Sequence, residues 1–202
     1  MSGAELDQLL TSLPKDSLRV SIFGSVNFNH RDSPALCAAI GRSLATISPG
    51  ITLLTGANAV IHEHIAAGFC EADPKKGNSV YHLKPRNMGT CMFSNGSVIV
   101  AGDDWEERRQ ILAQSCHLAI CVEGGPGTAD EMRRAVRAGR VLVPVSRTGG
   151  ASAGLFDSPI VAPPHGVRPE DWLRLSDTAA SPEETAASVA AIVDVVRTRL
   201  CQ

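Results

Sequence analysis

Leu118-Ala119-Ile120-Cys121-Val122 runs directly into Glu123-Gly124-Gly125-Pro126-Gly127-Thr128-Ala129-Asp130-Glu131. Five apolar residues without alternation read as a strand covered on both faces. Three glycines and a proline then turn the chain, and a helix starting at Thr128 carries Met132, Ala135 and Val136. The turn has chemistry as well as shape. Glycines let the backbone approach a ligand closely, and the helix behind them aims free N–H groups and its positive dipole end at the same place. Gly124, Gly125, Gly127 and Thr128 are therefore expected to receive an anion. A ligand-free alternative stays open: a tight turn closed by a Thr128–Glu131 capping box. The turn is neither G-x-G-x-x-G nor a P-loop, because no Lys-Ser/Thr pair follows.

Outward from this unit the same alternation continues. Short β-rich runs occupy 19–23, 51–55, 79–83, 97–101 and 141–145. Helical patterns lie between and after them: one from Pro34, one over 59–72, one over 104–115, and a last over 182–200. The last opens on Ser181-Pro182-Glu183-Glu184, a capping box with proline at the first helical position. The expected fold is a single α/β domain over residues 1–202, Rossmann-like and doubly wound, with a mostly parallel sheet and helices on both faces. Lys84–Gly96 reads as a loop or lid, and Thr148–Pro169 as an irregular excursion.

In such sheets ligands bind beyond the carboxyl ends of the strands, near the switch in strand order. That rule singles out Gly24-Ser25, Gly56-Ala57-Asn58, Gly102-Asp103 and Ser146-Arg147 beside the glycine turn. The helix after 97–101 adds a second signal. Arg108 and Arg109 flank the face shared by Trp105 and Leu112. An inward arginine needs an anionic partner, a carboxylate or a ligand phosphate. Read by itself, the helix more readily lets both arginines reach water and pair with Asp104 or Glu106.

Composition narrows the partners. A net charge of −2 without a basic stripe argues against a nucleic-acid polymer and leaves a single nucleotide open. No stretch approaches a membrane span, and the acidic start MSGAELDQLL is not a signal peptide. None of the six cysteines (37, 70, 91, 116, 121, 201) forms a C-x-x-C pair, so reduced thiols and a cytoplasmic setting are expected. His62-Glu63-His64 is not a zinc motif, since histidines two apart on a helix point apart. No metal or cofactor is expected, although His62 follows a strand-end turn and can face a ligand. Met88 and Met92 are candidates to line a lid or to fill a core gap.

Glu106-Glu107-Arg108-Arg109 together with Gly124-Gly125-Pro126-Gly127-Thr128-Ala129-Asp130-Glu131 resembles the LOG family and its wider SLOG superfamily, over roughly residues 19–145. LOG proteins carry E-R-K on a helix and P-G-G-x-G-T-x-x-E one strand later. They are phosphoribohydrolases that release free base from nucleoside 5′-monophosphates, and they commonly form homodimers. The resemblance implies Arg108 and Glu131 as the catalytic pair. It implies phosphate binding by Gly124, Gly125, Gly127 and Thr128, with Gly24-Ser25 as the first phosphate-side turn. Gly56, Asn58, Arg109 and Arg147 complete the expected ligand set. Relatives are often labelled lysine decarboxylases, but nothing here argues for pyridoxal phosphate chemistry.

The sequence departs from the LOG pattern at four places. Glu123 replaces a proline and adds an anion beside the phosphate turn. Arg109 replaces a lysine. The Thr55–Val60 turn lacks the fuller glycine signature. The segment Pro144–Gly154, with Arg147-Thr148-Gly149-Gly150, has no LOG counterpart and is similar to other SLOG members, which bind ADP-ribose-type nucleotides as signals. The alternative function is thus a non-catalytic sensor or carrier of such a nucleotide.

Overall fold

The computed structural model describes residues 3–47, 50–72, 74–89, 93–156, 158 and 160–200. Cys91, Met92 and Cys201 lie outside them. Six strands form one sheet: β1 (Leu18–Gly24), β2 (Ile51–Thr55), β3 (Val80–Lys84), β4 (Ser97–Val100), β5 (Leu118–Val122) and β6 (Val141–Val145). Every pairing is parallel, in the order β4-β3-β2-β1-β5-β6. All six strands expected from the sequence are present, and the Rossmann-like doubly wound fold holds.

The physical cause is in the burial. β2 and β5 are buried along their whole length, as strands covered on both faces must be. Helices α2 (Ser33–Ala45) and α3 (Val60–Ala72) pack against each other, and α2 also against α8 (Pro182–Leu200). On the other face α4 (Trp105–Ser115) packs against α5 (Pro126–Arg137) and against α1 (Gly3–Ser12). The α2–α3 contact is close because Gly41 and Gly68 lie at it. A Cβ on either would run into the backbone of the other helix.

Three elements differ from the sequence reading. Helix α1 lies in a stretch read only for its lack of signal-peptide features. Short helices α6 (Gly150–Phe156) and α7 (Pro169–Arg174) lie in or at the end of the supposed irregular excursion. Too few residues repeat in either for a periodicity to show, and tertiary contacts hold them. Ser188 Oγ donates to Asp171 Oδ1 at 3.0 Å, joining α7 to α8. The capping box at the start of α8 is present in both directions, Ser181 N to Glu184 Oε2 at 2.8 Å and Glu184 N to Ser181 Oγ at 3.2 Å. No helix among the described residues is long and apolar enough to cross a membrane.

The strand order reverses between β1 and β5. Both carboxyl ends, Gly24 and Val122, are in register there. A crevice at that switch is where this topology places ligands.

Candidate functional site

The β5–α5 turn is built to expose backbone donors. Glu123 and Gly124 have φ of 54° and 97°, in the left-handed region. Gly125 is the N-cap and supplies no side-chain cap, and Pro126 brings no N–H of its own. The N–H groups of Gly127 and Thr128 thus begin the helix without helical acceptors. The helix starts two residues earlier than expected, which removes the capping-box alternative. Thr128 Oγ1 instead donates to the Gly24 carbonyl at 3.1 Å. Gly124 is fixed by packing, since a Cβ there would strike the Thr128 side chain. The turn's own carbonyls face the other way. Ala151 N donates to Gly124 O at 2.8 Å and Ser152 N to Glu123 O at 2.9 Å, so the first turn of α6 braces the glycine turn from behind.

Ser25, buried at the end of β1, has its acceptor capacity taken up. Gly124 N donates to its Oγ at 2.8 Å and Asn29 Nδ2 at 2.9 Å. Its own O–H is left to donate toward the crevice.

Glu123 corrects the sequence reading. It is fully buried and its carboxylate turns away from the open start of α5. It accepts from Asn29 N at 3.0 Å, Asn29 Nδ2 at 3.1 Å, His30 N at 3.0 Å and Ser33 Oγ at 2.5 Å. A positive φ aims the side chain at the loop after β1. The charge is spent on holding residues 29–33 rather than on repelling a phosphate.

Arg108 also turns out differently from the reading that lets both arginines reach water. Its side chain is 2% exposed and its Nη1 donates to Glu131 Oε1 at 2.6 Å. The guanidinium lies 5.1 Å from the Trp105 ring centroid, and Nη2 reaches Asn58 Oδ1 at 3.4 Å. Burial pushes the Glu131 carboxyl up from its ordinary value, and the Arg108 charge opposes that rise. Burial likewise lowers Arg108, opposed by Glu131. The neighbouring Arg109 is partly exposed and makes no hydrogen bond or ion pair among the described residues. It lies beside Gly127, 3.4 Å from where a Cβ would stand.

His62 sits 2% exposed on α3. Neither ring nitrogen has a well-formed hydrogen bond among the described residues, the Ile22 backbone offering only a weak one. Burial, then the charges of Arg108 and His82, push its pKa down to about 3, against a weaker pull from the Ile22 backbone. The ring is neutral at ordinary pH. His64 points elsewhere, edge-on to Phe28 at 4.7 Å.

These groups surround one cleft of about 410 Å³. Gly125, Gly127, Thr128 and Glu131 line it from α5, Arg108 and Arg109 from α4, and Gly24, Ser25 and Asn58 from the ends of β1 and β2. Gly56 and Gly124 back the wall. Arg147 is not part of it. Its guanidinium is buried against Thr185 Oγ1 at 3.0 Å and Asp32 Oδ2 at 3.1 Å, pinning α8 to the start of α2. None of the described residues of 84–96 lines the cleft, so the lid reading gains no contact there; Lys84 Nζ ties the segment back at Gly89 O, 3.1 Å. Val26, Asn27, Asn29 and Pro126 line the cleft and were not singled out. The strand-end rule reaches the asparagines once the loop after β1 is followed beyond Ser25.

The SLOG cluster4 family model matches residues 17–158. No curated protein matches in sequence. Among solved structures, protein TM1055 superposes with a TM-score of 0.60 at 20% identity, covering 68% of this chain and 79% of its own. The molybdenum cofactor binding protein of the phototrophic bacterium Rippkaea orientalis gives 0.54 at 21%, covering 64% and 76%. The molybdenum cofactor carrier protein of Chlamydomonas reinhardtii gives 0.50 at 22%, covering 62% and 74%. At these identities the likeness is one of fold.

Proposed function

The chain belongs to the SLOG cluster4 family, and on that premise we propose that its cleft binds a nucleotide-type ligand and hydrolyses the N-glycosidic bond of a nucleoside 5′-monophosphate or related phosphoribosyl compound. The observation that carries this reading is the buried Arg108–Glu131 pair, 2.6 Å apart, on the wall of the cleft that also holds the open N-terminus of α5. The phosphate goes to the N–H groups of Gly127 and Thr128, the Arg109 guanidinium and the Ser25 hydroxyl. Anchoring that remote group orients the sugar. Cleavage builds positive charge on the ribose as the base departs with the bonding pair. The Glu131 carboxylate stabilises that charge and takes a proton from the attacking water. Arg108 holds the carboxylate in place and offsets the cost of burying it. Water adds to the anomeric carbon, the base gains a proton, and ribose 5-phosphate remains.

Incubation with AMP, CMP, GMP, UMP and ADP-ribose, followed by chromatography for free base, tests the proposal. Base from a monophosphate, abolished in Glu131→Gln, is the expected result. No base from any of them overturns it.

A second reading, a non-catalytic carrier or sensor of a phosphate-bearing nucleotide such as ADP-ribose, draws support from the two neighbours named for binding or carrying a molybdenum cofactor. It needs the anion half of the cleft but not Glu131, so Glu131→Gln would leave binding largely intact. The LOG resemblance also supports a cytoplasmic homodimer with α4 at the contact. A monomeric mass in solution would exclude the pairing.

A further inference from the structure

The anion half of the cleft is rich in donors, but His62 has no work there. A neutral imidazole is a poor phosphate ligand beside two arginines and a helix N-terminus. Its ring nevertheless lines the cleft, is almost wholly buried, and has only the Ile22 backbone within weak reach of one nitrogen among the described residues. Buried polar atoms are nearly always paired, so a ring nitrogen left without a partner points to a missing one. The neutral ring offers one donor and one acceptor. With the ring N–H turned to the Ile22 backbone, the other nitrogen is a bare acceptor, and a ligand hydroxyl that donates to it is the group that matches.

Arg108 and Glu131 set which hydroxyl. Arg108 Nη2 reaches Oδ1 of Asn58, four residues before His62, at 3.4 Å, and Arg108 is bonded to Glu131. His62 therefore belongs to the glycosidic end of the cleft. The hydroxyl next to the anomeric carbon is O2′. We infer that His62 binds the 2′-hydroxyl of the ribose and makes the site selective for ribose over 2-deoxyribose phosphates. The inference rests on the phosphoribosyl reading above and deepens it. A deoxy ligand leaves the ring unpaired in a dry site, and sites built to pair a hydroxyl discriminate strongly against analogues that lack it.

Calorimetric titration of the full chain with ribose 5-phosphate and 2-deoxyribose 5-phosphate tests this without needing turnover. The wild type is expected to prefer the ribose form by about tenfold or more, the equivalent of one well-paired buried hydrogen bond. In His62→Leu the preference falls to within about threefold while affinity for the deoxy form holds. In His62→Gln, which keeps a donor and an acceptor, part of the preference returns. A wild type that binds both sugars equally overturns the role of His62 and leaves the phosphoribosyl reading standing. So does a His62→Leu protein that weakens both ligands alike, the mark of a structural residue. Binding of neither sugar phosphate by the wild type overturns both. If His62→Leu does not fold, the His62 ring nitrogen resonances of the wild type decide: they shift with ribose 5-phosphate but not with the deoxy form, and a shift common to both, or none, sinks the inference.

Discussion

A Cβ on Gly56 would stand 2.5 Å from Nη1 of Arg108, the atom that holds Glu131. The turn after β2 and the arginine of α4, 52 residues apart in sequence, are therefore shaped to each other. Gly56 is required by what passes over it, and it contributes to the site without lining it. Gly56→Ala is expected to displace the guanidinium, break the Arg108–Glu131 bridge and cost about 1–3 kcal/mol by overpacking. Urea denaturation checks the stability, and base release is expected to fall at least tenfold.

Arg108 and Glu131 should couple strongly. Removing one partner leaves the other as an uncompensated buried charge, so Arg108→Met alone should cost about 3–5 kcal/mol. Adding Glu131→Gln to it removes that stranded charge and should recover a large part of the loss. A double-mutant cycle on urea unfolding free energies measures this. Strict additivity would mean that the pair is not bridged in solution.

Arg109 should matter for ligand and little for folding. It is partly exposed and unpaired among the described residues, beside the start of α5. Arg109→Ala is expected to weaken ribose 5-phosphate binding about 10- to 100-fold, the scale of one charge-assisted contact. The unfolding free energy in urea should stay within about 0.5 kcal/mol of wild type, the usual range for such surface changes. Raising the salt concentration should narrow the gap between the two proteins in ligand affinity.

His62 gives a pH signature of defined sign. Its folded pKa is depressed, to about 3, from the ordinary 6.5. Its contribution is therefore fully present above pH 6.5. It is lost as pH falls, because the unfolded chain takes up a proton that the folded chain refuses until about pH 3. Between pH 6.5 and 4.5 the wild type should lose about 2–3 kcal/mol more stability than His62→Leu. Other groups titrate in both proteins and cancel in the difference. Equal losses would place His62 in contact with water.

Sequence patterning carried most of the fold, because its evidence is local. Unalternating apolar runs mark strands covered on both faces, and proline and hydroxyl caps mark helix starts. The glycines of Gly124-Gly125-Pro126-Gly127 mark a turn whichever neighbours surround it. The same locality explains the failures. Helices α6 and α7 are too short to show a period, and they exist because the glycine turn and α8 hold their ends.

The chain order of strands, the glycine turn at the end of β5, and the presence of an arginine and a glutamate at the right spacing are properties of the sequence alone. Where the charges point is not. Glu123 turns from the start of α5 because a positive φ aims it at Asn29 and Ser33. Arg147 leaves the site because Asp32 and Thr185 claim it, while Arg109 stays open. Arg108 is buried because Gly56 makes room and Glu131 offsets the desolvation. Each outcome depends on a partner tens of residues away. The energy of a buried charge is set by what surrounds it in space, and only the assembled sheet brings those groups together.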